Sequence, residues 1–87
     1  MHAEGDAYGQ ARRCLEIIER AIAELGATRE QIVRTRLFVT DIERWKASGR
    51  AHAEFFGEHR PATTMVEVRR LIAPEYLIEI EADAVVG

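Results

Sequence analysis

Ile32-Val33-Arg34-Thr35-Arg36-Leu37-Phe38-Val39-Thr40-Asp41 is the stretch on which the fold turns. Its β-branched and aromatic residues favour extended backbone. Successive side chains of a strand point to opposite faces. Val33, Thr35, Leu37 and Val39 therefore share one face, and Arg34, Arg36 and Phe38 the other. The first set is expected to meet helices. The second is odd for open solvent, because Phe38 stands beside two arginines. Thr40-Asp41 closes the strand and supplies the start of a helix.

Upstream, Ala7, Ala11, Cys14, Leu15, Ile18, Ala21, Ile22 and Leu25 recur at steps of three and four. That is one apolar stripe at helical period. Asp6 is placed to cap this helix and Gly26 to end it. Arg12, Arg13, Glu16, Glu19, Arg20 and Glu24 form its wet face, with Glu16 and Arg20 at pairing distance. Downstream, Ile42, Trp45, Gly49, His52, Ala53 and Phe56 mark one face of a second helix ending near Gly57. Two more strands follow, Thr63 to Val68 and Leu77 to Val86. In the last, Ile78, Ile80, Ala82 and Ala84 point one way, and Leu77, Glu79, Glu81 and Asp83 the other. The order helix, strand, helix, strand, strand predicts an α+β fold, with two helices on one face of one sheet. The opposite face is then expected to present Arg34, Arg36, Phe38, Met65, Glu67 and Glu79. Such a mixture of apolar and charged groups suits an interface better than free solvent.

Composition narrows the function. The chain has 87 residues, 47% apolar and 31% charged, which fits a single globular domain over residues 1–87. No apolar run exceeds three residues, against the roughly 20 of a membrane helix, so no membrane partner is expected. Met1 to Asp6 has neither the basic start nor the apolar stretch of a signal peptide, and a cytoplasmic location is the expectation. The net charge of −3 argues against nucleic acid as a partner, since phosphate neutralisation needs a basic surface. Cys14 is the only cysteine, so no internal disulfide can form. Its spacing places it on the apolar helix stripe as a small hydrophobe. His2, His52 and His59 lack ligand spacing, and no metal site is expected. His52 and Trp45 read as packed residues, Tyr8 as a surface residue, and Arg69-Arg70 as a solvated turn pair.

Several pieces in this order resemble one family. They are Gln10, Leu15 and Ile18 on the helix, the Ile32–Asp41 run with its closing Thr-Asp, and Trp45. Phe55-Phe56, Pro61-Ala62, Val66-Glu67-Val68 and Ile78-Glu79-Ile80-Glu81-Ala82 complete the set. Together, from about Gly5 to Val86, they look like the RidA family, also called YjgF. The resemblance implies a chorismate-mutase-like α+β fold and a homotrimer with sheets facing inward and ligand clefts between subunits. It implies hydrolysis of reactive enamines and imines such as 2-aminoacrylate, with no metal or organic cofactor.

Two departures from the family pattern bear on activity. The family's deaminases carry an arginine directly after the Pro-Ala step, where its guanidinium grips the substrate carboxylate with two parallel hydrogen bonds. Here that position is Thr63, a short neutral hydroxyl. Losing a charge-assisted clamp removes several kcal/mol of substrate binding in order of magnitude. The family's usual chain is also about half as long again, opening with strands that carry a tyrosine and a serine of the pocket. This sequence starts just before the first helix.

By resemblance, Glu79 matches the family's water-positioning, proton-relaying glutamate and is the candidate catalytic residue. Thr63, Thr64 and Met65 occupy the ligand-binding positions, Met65 standing where a cysteine is common. Arg34 and Arg36 are candidates to restore a positive charge. Glu67 and Glu81 are expected to pair with arginines across strands. The expected function is a trimeric, RidA-like binder of a small metabolite, a carboxylate or an imine, without efficient 2-aminoacrylate deamination. The alternatives are an imine deaminase with a substitute arginine and a non-catalytic, chaperone-like trimer.

Overall fold

A computed structural model of the chain describes residues 6–86. His2 and the first residues of the N-terminal reading lie outside the described residues. Helix α1 spans Ala7–Ala23, strand β1 Ile32–Val39, helix α2 Trp45–Phe56, strand β2 Ala62–Glu67 and strand β3 Ile78–Ala84. Short 3-10 turns at Arg29–Gln31 and Ile42–Arg44 precede β1 and α2. The expected order of elements is the observed one. No helix among the described residues is long and apolar enough to cross a membrane.

The three strands run in the order β2-β1-β3. β1 and β2 are parallel, which requires a crossover, and α2 provides it. β3 closes the other side of β1 antiparallel. The register then assigns faces row by row. Thr63, Thr35 and Ala82 form one row on the helix side, followed by Met65, Leu37 and Ile80, and by Glu67, Val39 and Ile78. The open side holds Ala62, Arg34 and Asp83, then Thr64, Arg36 and Glu81, then Val66, Phe38 and Glu79.

The helices bury two adjoining clusters against the sheet. One joins Ala11, Leu37, Val39, Ala51 and Ile78, and the other Leu15, Ile32, Phe55 and Phe56. Ile80 packs against both, so β3 staples the two halves of the core together. Arg29 adds a polar tie. Its guanidinium makes a two-pronged pair with Glu19 at 2.6 and 2.8 Å, donates to the Phe55 carbonyl at 2.7 Å, and lies 4.1 Å over the Phe55 ring.

Several expectations need correction. Val33 was expected inside and is 49% exposed, because the β1–β3 register slips between Ile32 and Arg34 and Ile32 takes the inward place. Trp45 is 51% exposed at the first turn of α2, with the Lys46 ammonium 5.8 Å from its ring. The inner face of α2 is Ser48, Ala51, His52, Phe55 and Phe56. Met65 and Glu67 lie on the helix side of β2, not the open side. Asp6 holds the N-cap position without a side-chain bond, its carbonyl accepting from Gln10 N–H. Glu16 meets Arg13 rather than Arg20, and Leu25 is exposed beyond the helix. Two other readings hold. The Asp41 carboxylate accepts from Glu43 N–H at 3.0 Å to start the second helical segment, and Gly26 takes φ +83° after α1.

Candidate functional site

Thr63 enters the sheet directly after Pro61-Ala62. The chain reaches it through Gly57, whose φ of 60° and ψ of −121° suit a residue without Cβ. Arg60 donates to the Gly57 carbonyl at 2.9 Å and closes this turn. Thr63 is solvent-exposed, yet its hydroxyl is engaged on its inner side. It donates to the Pro61 carbonyl at 3.0 Å and lies 3.1 Å from the Thr35 hydroxyl. Thr35 is fully buried, and its Oγ1 sits 2.8 Å from His52 Nε2. Phe56 packs on the imidazole at 4.7 Å between ring centroids. Burial, and then the nearby Arg60 charge, lower the His52 pKa from its ordinary value, so the ring is neutral at neutral pH. His52 is thus a packed, hydrogen-bonded histidine, as expected.

Thr64 lies on the opposite face. There the three strands lay down three stripes: neutral Ala62, Thr64 and Val66; then Arg34, Arg36 and Phe38; then acidic Asp83, Glu81 and Glu79. Arg36 reaches Glu81 at 3.3 Å and Asp83 at 3.5 Å, the cross-strand pairing anticipated for Glu81. Glu67 instead accepts from Ile42 N–H at 3.0 Å and holds the start of the second helical segment.

Glu79 is exposed on β3, across from Phe38. It also lines a cavity of about 230 Å³ with Cys14, Ile17, Ile18, Tyr76, Ile78 and Ile80. Neighbouring strand residues point to opposite faces, so a cavity touching Ile78, Glu79 and Ile80 together sits at the edge of β3 that faces away from β1. Burial, and then the Glu79 charge, push the Cys14 thiol above its ordinary pKa. Cys14 is therefore a protonated, poor nucleophile at neutral pH.

The predicted residues fall into three places. Thr63 and Met65 stand on the helix side of β2, with Met65 packed on the core. Arg34, Arg36 and Thr64 stand on the open face, and Glu79 stands at the far edge strand. Sequence reasoning missed the Thr35–Thr63 link, which only the parallel register creates. It also used Gln10 without its role. Gln10 is fully buried, donates to the Glu75 carbonyl at 2.9 Å and accepts from Leu77 N–H at 2.7 Å. A buried amide amid an apolar helix stripe was the available signal. Among the described residues, no three His, Cys, Asp or Glu side chains converge as a metal site.

The family described as Endoribonuclease L-PSP matches residues 1–86. An uncharacterized protein of Streptomyces coelicolor, SCO2049, is 36% identical over 87 residues, covering all of this chain and 65% of that protein. The 3-aminoacrylate deaminase RutC of Acinetobacter baylyi is 35% identical over 80 residues, covering 92% of this chain and 63% of the relative. This chain therefore spans about two thirds of the length of such relatives. The crystal structure of Rv2704 from Mycobacterium tuberculosis, a member of the YjgF/YER057c/UK114 family, superimposes with a TM-score of 0.86 at 55% identity, covering 87% of this chain and 64% of that one. With its helix-backed sheet and a family match along nearly its whole length, the chain belongs to the Endoribonuclease L-PSP (RidA/YjgF) family.

Proposed function

We propose that this chain is a subunit of a RidA-like protein that binds a small metabolite in clefts between identical copies, and that it is not an efficient 2-aminoacrylate deaminase. The observation that carries the reading is the side chain after Pro61-Ala62. A carboxylate clamp needs a fixed cation with paired donors. Thr63 offers one neutral hydroxyl, already engaged with Pro61 and Thr35. Of the two arginines that flank its register on the open face, Arg34 and Arg36, the second is occupied by Glu81 and Asp83.

The placement of the candidates supports clefts between copies. Thr63 and Glu79 lie on opposite edge strands and opposite faces, with β1 between them. A site using both requires one from each of two subunits. The striped open face, with Phe38 and Val66 beside the charges, supports the same assembly into a trimer. Ammonia release from enzymatically generated 2-aminoacrylate tests the activity. Turnover is expected at background beside an arginine-bearing relative run in parallel, and Thr63→Arg is expected to raise it. A wild-type rate equal to the relative's would overturn the reading.

A second reading is favoured by the 35% identity to a protein named 3-aminoacrylate deaminase. In it, Glu79 orients a water for enamine hydrolysis and Arg34 or Arg36 supplies the positive charge. Deaminase activity lost in Arg34→Ala or Arg36→Ala would support it, and activity kept in both would end it.

A further inference from the structure

Four groups follow one another in a chain of contacts: His52 Nε2, Thr35 Oγ1, Thr63 Oγ1 and the Pro61 carbonyl. Their successive separations are 2.8, 3.1 and 3.0 Å. Each hydroxyl owns one proton, and a carbonyl can only accept. If Thr63 gives its proton to Pro61, the Thr35–Thr63 contact needs the Thr35 proton. The Thr35–His52 contact then needs a proton on Nε2. This arrangement makes three hydrogen bonds, all running outward.

The reverse tautomer, with Nε2 bare, makes only two. Thr35 then donates to His52. Thr63 can donate to Thr35 or to Pro61 but not to both, and one oxygen–oxygen contact near 3 Å is left without a proton. The contact left without a proton is Thr35–Thr63 or Thr63–Pro61, and two oxygens held at 3.1 or 3.0 Å repel without one between them. The longer Thr63–His52 approach of 3.5 Å is too loose to compete.

We infer that His52, acting through Thr35, fixes the Thr63 hydroxyl as a hydrogen-bond acceptor toward the surface, so that a ligand meeting Thr63 presents an N–H group there and not a carboxylate. The inference rests on the cleft reading above for its ligand, but not for the direction of the hydroxyl chain. The Thr63 proton is committed to the Pro61 carbonyl, and the remaining lone pair is what a ligand can engage. A carboxylate at that point faces lone pair against lone pair unless the Pro61 bond is broken. An amide, amine or protonated imine nitrogen completes the row. His52 is in this sense a positioning residue. The exchange of a guanidinium for Thr63 changes the kind of group the site accepts, beyond weakening its hold on an anion.

The test has two arms on the full chain. Long-range proton–nitrogen NMR of the imidazoles reads the tautomer directly, with His52 identified by the signal missing in His52→Gln. A proton on Nε2 at neutral pH is expected, and a bare Nε2 would overturn the inference. The second arm titrates acrylamide and acrylate, a matched amide and carboxylate, while following the Thr63 and Thr64 backbone amides. Acrylamide is expected to bind about tenfold more tightly, as one hydrogen bond allows, and Thr63→Val is expected to erase the difference. Equal or stronger binding of acrylate at these amides would overturn the ligand preference. If neither compound moves them, the cleft reading falls and takes the ligand preference with it, while the tautomer still decides the hydroxyl direction.

Discussion

His52 shows how one buried side chain links stability to pH. Its folded-state pKa is lowered by burial first and Arg60 second, while the unfolded ring titrates near 6.5. Between the two values the unfolded chain binds more protons than the folded one. Stability is therefore full above about pH 6.5 and is lost as pH falls through that value toward the folded pKa. The thermal midpoint of the wild type is expected to drop on going from pH 7.5 to 5.5. In His52→Gln the drop is expected to be smaller, with a lower starting midpoint. Equal slopes in calorimetric scans of the two proteins would contradict this. The packing of His52 was legible in the sequence from its helix phase. Its partners were not, because Thr35 and Thr63 are 28 residues apart and meet only through the β1–β2 register.

At the scale of elements, β1 and β3 were legible because alternation survives in each. The slip at Ile32 and Arg34 was not, since a bulge leaves no mark in a run of β-branched residues. The face of β2 was not legible, because Thr63-Thr64-Met65-Val66-Glu67 mixes polar and apolar types on both phases. Its phase is set by the crossover through α2 and not by its own residues. Hydrophobicity alone does not tell the first-turn Trp45 from a core residue. Gln10 joins α1 to the entry of β3, and its loss should act locally. Gln10→Ala strands the Leu77 N–H and the Glu75 carbonyl, each worth about 1–3 kcal/mol if left without a partner. The expected result is a lower urea midpoint together with faster hydrogen exchange at the Leu77 amide. Unchanged exchange at Leu77 would show that the clamp does not hold that loop.

For the molecule as a whole, the open sheet face decides between a lone protomer and an assembly. Phe38 stands in register between Val66 and Glu79 on that face. Phe38→Asp is expected to leave the far-ultraviolet dichroism intact and to convert a sedimenting trimer into monomer at micromolar concentration. A wild type that already sediments as monomer would remove the basis for clefts between copies. Which residues meet across the seam was not legible in the sequence, since no periodicity within one chain reports on a neighbour.

The route from Gln10 to Leu77 crosses 67 residues of chain, and β3 also supplies Ile78 and Ile80 to the two core clusters. Both clusters draw on β3 for part of their packing. Since the closing pairs are remote in sequence, folding is slowed by the entropy of joining segments 67 residues apart. During synthesis, which proceeds from the N-terminus, α1 and β1 emerge with their greasy sides uncovered and wait for their cover. The interval before β3 emerges is when a nascent chain of this kind is most exposed to capture by its own copies.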